Sequence, residues 1–156
     1  MPHRKVPISR HSDEFNAWLR TARPTDYERL LVTRPSRELR GEERALVLVL
    51  ASIAKIDNEL VSQQALDNVR VRDMLDGGMG SIRFAASGDG TNRSFGNAAG
   101  ELWYVDADGV AVTFCLNLDN HGDLYEVDGW KVDFSPLKRF PQPEDLHAEP
   151  PVGRDG

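Results

Sequence analysis

The spacing of apolar residues changes once along this chain, from a helical period before about residue 66 to an alternating one from Val69 onward. Ser12 is placed as a helix N-cap, with Asp13 and Glu14 suited to the positive end of the helix dipole, and Phe15, Trp18, Leu19 and Ala22 follow at helical spacing. Pro24 ends that segment. Thr25-Asp26-Tyr27-Glu28 then forms a capping box that predicts a short second helix to about Leu31, broken at Arg34-Pro35. A third helix is predicted from Gly41 to Ile56: Leu46, Leu50 and Ile53 make one stripe, and Val47, Val49, Ala51 and Ala54 widen it until most sides are apolar and burial on most sides is expected. Asp57-Asn58 stops it, and a short helical piece near Glu59 to Leu66 follows.

In the alternating part, Val69 and Val71 alternate with Arg70 and Arg72, and Ile82 and Phe84 with Ser81 and Arg83, across a turn at Asp76 to Gly80. Residues 87 to 100 are rich in Gly, Ser and Asn and read as a loop. Asp106-Ala107-Asp108-Gly109 and Asn120-His121-Gly122-Asp123 are turn tetrapeptides. If Val105 pairs with Val110 and Leu118 with Tyr125, one face collects Trp103, Val105, Val110, Val112, Phe114, Leu116, Leu118, Tyr125 and Val127. The other face then presents Thr113, Cys115, Asn117, Asp119, Glu126 and Asp128. A one-residue slip would set Glu126 and Asp128 beside Leu116 and Phe114 as buried carboxylates without partners, a costly arrangement. Trp130, Val132 and Phe134 continue along a sheet edge to Pro136. The pattern predicts an α+β domain over residues 12–137, with N-terminal helices on one face of an antiparallel meander of about five strands. Residues 1–11 form a loose arm, and the Pro-rich stretch 138–156 an extended strap and then a disordered tail.

At 156 residues the chain fits one domain. Its longest apolar run is far short of the ~18 residues a membrane span needs, and no apolar region follows the basic start as in a secretory signal, so cytoplasmic residence is expected. Cys115 is the single cysteine and forms no internal disulfide. Charge is uneven. Residues 1–44 carry a net +3, whereas residues 101–137 carry eight acids against Lys131 alone, a net −7. Such a field disfavours nucleic acid and favours a basic protein partner.

No motif for a metal or cofactor emerges. The glycine-rich turn Asp76–Ser81 could cradle a phosphate, but no helix follows it, so a hairpin tip needing positive φ is the plainer reading. Glu126 and Asp128, two apart on one strand face, could act as an acid/base pair, or with Asp119 hold a divalent cation; exposed sheet acids more often serve solvation or charge complementarity. His3, His11, His121 and His147 lack zinc-site spacing. Cys115 faces Asp128 in this register, away from His121, which opposes thiol activation. Lys131 is expected to pair with Asp133 or Asp128 and fix a strand edge, the alternative being an edge that accepts a partner strand.

The Asp-Gly-Gly-Met-Gly-Ser turn at Asp76 to Ser81, the Asp-Gly hairpin at Asp108-Gly109 and the Trp-Lys-Val-Asp-Phe-Ser-Pro-Leu run at Trp130 to Leu137 resemble a small bacterial family of uncharacterised proteins, over roughly Arg34 to Pro141. Residues 1–33 lie outside the resemblance. It implies a small cytoplasmic bacterial protein, and some families of this size, charge and setting are immunity proteins. The expected function is therefore a non-enzymatic acidic binder of a basic toxin, acting through Thr113, Asn117, Asp119, Glu126 and Asp128 with no cofactor. The alternatives are a small hydrolase using the paired carboxylates and an assembly module that exposes an apolar patch on the first two helices.

Overall fold

The computed structural model describes residues 24–56, 61–86 and 93–151. The arm 1–11, the helix expected from Ser12 to Ala22, the Asp57-Asn58 stop and the end of the tail lie outside these residues. Helix α1 (Pro24–Leu31) starts on a proline, whose missing amide would be unpaired in a first turn anyway. Its Tyr27 hydroxyl accepts the Leu75 amide at 3.2 Å, and Leu31 is buried. Helix α2 (Gly41–Ala54) opens on Glu43, whose carboxylate accepts the Arg40 amide at 2.8 Å, and closes on Lys55 in the left-handed region at φ 57°. Glu43 is buried and sits in the fork of Arg37, which also holds Asp73. Leu46, Val47, Leu50 and Ala51 are buried, but Ile53 is 47% exposed: the sheet covers only one side of this helix, against the expectation of burial on most sides. A single turn, α3 (Gln63–Leu66), follows, capped by the Ser62 hydroxyl.

The sheet contains β1 (Arg37–Glu38), β2 (Arg70–Asp73), β3 (Ile82–Phe84), β4 (Phe95–Val105), β5 (Ala111–Asp119) and β6 (Leu124–Lys131). All pairs are antiparallel and the order is β1-β2-β3-β6-β5-β4. The expected α+β class with one antiparallel sheet holds, with six strands. The order departs from a simple meander at one place: β6 returns to pair with β3, which sends β4 to the edge. Trp130 and Lys131 therefore end an interior strand and not an edge.

Part of the segment read as a glycine-rich loop is strand. Gly96 and Gly100 lie in β4, which carries two register shifts. A Cβ on Gly96 would lie 2.2 Å from the Asp119 carbonyl oxygen, and one on Gly100 would lie 2.9 Å from that of Leu50 in α2. These glycines let backbone approach backbone, a demand indistinguishable in sequence from loop composition.

Register places the core. Over residues 112–117 of β5, the pairing with β6 is the expected one, including Leu116 with Val127 and Cys115 with Asp128. The β4–β5 hairpin differs by one residue: Val105 pairs with Ala111, not Val110, because the turn closes with Asp106 and Val110 bonding across it. That slip reverses the faces of β4. Leu102 and Tyr104 enter the core beside Phe114 and Val112, whereas Trp103 and Val105 lie on the opposite face. At the β5–β6 turn an irregularity pairs Leu118 with Leu124, which takes the core position expected for Tyr125. The stretch after Pro136 packs back on the sheet. Phe140 packs on Phe114 at 5.4 Å between ring centroids, and His147 exchanges two backbone hydrogen bonds with Trp103.

Candidate functional site

The three sequence motifs meet at one end of the sheet. Lys131 shares the inward parity of Val127 and Gly129, so its ammonium points into the fold, away from Asp128. It donates to Asp106 at 2.8 Å, to Asp108, and to the Pro136 carbonyl at 3.1 Å, which corrects the expected pairing with Asp133 or Asp128. Asp133 instead caps Ser135. Asp106 also accepts the amides of Ala107, Lys138 and Arg139. Beside this cluster, the amides of Gly78, Met79 and Ser81 all bond the carboxylate of Asp76. The cradle considered for phosphate is thus filled by the chain's own anion, while Gly77, Gly78 and Gly80 supply the positive φ a hairpin tip needs. Ser81 and Met79 reach β6: the Gly129 amide bonds the Ser81 hydroxyl at 2.8 Å and the Lys131 amide lies 3.1 Å from the Met79 sulfur. This end of the molecule is a structural knot.

The sheet face turned away from α2 holds the predicted site residues, arranged in rows by the register. One row runs Arg72, Arg83, Glu126, Asn117; the next runs Asp128, Cys115, Glu101; a third runs Trp130, Thr113, Trp103. Thr113, Asn117 and Asp119 are buried. The Thr113 hydroxyl bonds the Leu102 carbonyl at 3.1 Å, and Asn117 donates to Glu126 at 3.1 Å. Glu126 is clamped by Arg83, which also forks onto Glu28 of α1. Asp119 holds Arg93 at 3.0 Å and accepts the amides of His121 and Asp123. Burial alone would raise the Asp119 carboxyl, but the Asp123 amide and Arg93 outweigh it and hold it below its ordinary 3.8, the opposite of what a general acid needs. Thus Asp106, Asp108, Asp119 and Glu126 are committed to cations inside the fold, and the net −7 of residues 101–137 overstates the surface field.

What this face exposes is different. Glu101 and Asp128 are exposed on either side of Cys115. Trp103 and Trp130 stand in the adjacent row with centroids 6.5 Å apart, and Trp130 and Val105 are about two-fifths exposed. The hairpin slip moved β4's odd-numbered residues to this side, which brings Glu101 here and takes Trp103 off the apolar face expected for it; Trp130, expected along a sheet edge, reaches this face from β6. Burial first, and then the charges of Glu101, Asp128 and Glu126, push the Cys115 thiol up to about 11. Its Sγ bonds Asn117, while the His121 ring lies by Asn120. Among the described residues no three His, Cys, Asp or Glu side chains converge as metal ligands.

Fold and face together define a small α+β domain whose sheet sets Glu101 and Asp128 beside Trp103 and Trp130, with a row containing Arg72 and Arg83 on the same face. The chain belongs to the family described as domain of unknown function DUF6984, whose model matches residues 36–141. That span contains the whole sheet and α2, while α1 precedes it. No curated protein and no solved structure matches the chain. No helix among the described residues is long and apolar enough to cross a membrane.

Proposed function

We propose that this protein is a non-enzymatic binding module for a basic protein, a bacterial immunity-type inhibitor of a basic toxin. The observation that supports this is the row Glu101–Cys115–Asp128 lying against the row Trp103–Thr113–Trp130. Carboxylates beside tryptophan faces suit lysine and arginine side chains, since the carboxylate supplies a charge-assisted hydrogen bond and the ring a cation–π contact. Tryptophan is also the side chain most enriched among binding hot spots. The contact surface is accordingly centred on Glu101, Asp128, Trp103 and Trp130. Thr113, Asn117, Asp119 and Glu126 serve beneath and beside it, holding the sheet.

The test is co-purification with the product of each flanking gene, followed by affinity measurements from about 50 to 500 mM salt. A basic partner is expected to be retained, to weaken steeply with salt, and to be lost by Glu101→Lys with Trp130→Ala in a protein that still folds. Failure to retain a basic partner, or salt-independent affinity, overturns the reading. Glu126→Lys is unsuitable as a probe, because it sets a lysine against Arg83. A second reading, an assembly module, draws on Leu30 and Val32, exposed at the end of α1. It predicts association that salt does not weaken.

A further inference from the structure

Between α1 and the β2–β3–β6 part of the sheet lies a pocket of about 350 Å³, lined by Arg72, Arg83, Arg93, Glu28 and Tyr125 and walled by apolar side chains that include Leu31, Val32 and Phe84. Its three arginines meet three carboxylates, Glu28, Glu126 and Asp119, but share them unevenly. Arg83 is occupied by Glu28 and Glu126, and Arg93 by Asp119 and the carbonyls of Phe84 and Leu124. Arg72 stands directly opposite Arg83 in the β2–β3 register. Its Nε donates to the Arg34 carbonyl at 3.0 Å, and its two terminal amino groups have no partner among the described residues. Tyr125 is 7% exposed with Arg83 and Arg93 over its ring at 4.2 and 5.0 Å, yet its hydroxyl makes no hydrogen bond among the described residues. A buried hydroxyl left unsatisfied costs about 1–3 kcal/mol, so such groups ordinarily find partners.

We propose that this pocket binds a small organic carboxylate with an apolar body, the anion taken by the uncommitted end of Arg72 and the Tyr125 hydroxyl. An arginine fork matches a carboxylate in shape, and the apolar wall suits an alkyl or aryl body. That Arg72 alone of the pocket's arginines pairs with no carboxylate among the described residues argues for a single negative charge. The proposal stands apart from the protein-binding reading, because it uses different rows of the sheet face.

Titration with benzoate, followed by thermal unfolding and by amide NMR shifts, tests it on the full chain, with neutral benzamide and inorganic phosphate as controls. The expected result is a saturable benzoate response, at least tenfold weaker in Arg72→Gln and several-fold weaker in Tyr125→Phe, with little response to either control. Tyr125→Phe without ligand should melt no lower than the wild type, because its hydroxyl makes no hydrogen bond among the described residues. The proposal is overturned by an absent benzoate response, an equal one to benzamide, tighter binding of phosphate, an unchanged affinity in Arg72→Gln, or a lowered melting temperature in ligand-free Tyr125→Phe.

Discussion

Lys131 donates to Asp106 at 2.8 Å with both side chains wholly enclosed. A buried ion pair is stable only when every remaining donor and acceptor is also used, and here they are: Lys131 reaches Asp108 and Pro136, and Asp106 takes three backbone amides. Removing either partner strands the other. Lys131→Met is expected to cost about 3–5 kcal/mol, and Asp106→Ala at least as much because it also orphans the amides, both read from urea midpoints.

The same pair makes stability depend on pH at both ends of the range. For Asp106, burial would raise the carboxyl, but Lys131 and the Lys138 and Ala107 amides outweigh it and hold it below 3.8. For Lys131, burial would lower the ammonium, but Asp106 and Asp108 raise it above 10.5. The carboxylate's contribution is therefore present above pH ~4 and lost as pH falls through its folded value; the ammonium's is present below pH ~10.5 and lost as pH rises through its own. Urea midpoints should form a plateau between these limits, and Lys131→Met should flatten the alkaline limb.

Asp76 satisfies three amides of the β2–β3 tip. Asp76→Ala should destabilise by about 2–3 kcal/mol and speed hydrogen exchange at Gly78, Met79 and Ser81 specifically. Uniform loss of protection across the sheet would contradict this local role.

Two glycines should behave differently. A Cβ on Gly129 would lie 2.3 Å from the Met79 carbonyl oxygen, whereas one on Gly122, at φ 85°, meets nothing within 4 Å. Gly122→Ala is expected to cost only the left-handed backbone penalty, about 1–2 kcal/mol. Gly129→Ala should cost more, because backbone must move, and denaturant midpoints will rank the two.

With its thiol pushed up to about 11, Cys115 is about one part in a thousand thiolate at pH 8. Iodoacetamide should modify it slowly there and faster as pH rises toward 11. Glu101→Gln should shift that profile to lower pH, since the Glu101 charge opposes the thiolate.

Much of this was legible in the order of residues. The long helix, the alternation on β5 and β6, the register that sets Cys115 against Asp128, and the positive-φ glycines of the Asp76–Ser81 tip follow from period and from residue chemistry. The β4–β5 turn was misjudged by a single residue because a four- and a five-residue closure carry the same Asp-Gly signal, and one residue of slip exchanges Trp103 for Leu102 and Tyr104 in the core. The acidic field was misjudged because charge counted along the chain omits cations arriving from elsewhere: Arg83 and Arg93 precede the acids they neutralise by 43 and 26 positions.

The sequence by itself determined the class of this protein, since apolar period and turn chemistry are local properties that survive without knowledge of neighbours. Only the tertiary structure decided which carboxylates meet solvent and which meet arginine. Strand order, and the return of β6 to β3 in particular, is fixed by contacts between segments far apart in the chain, and it brings Arg83 to Glu126, while the β4–β5 register leaves Glu101 beside the tryptophans.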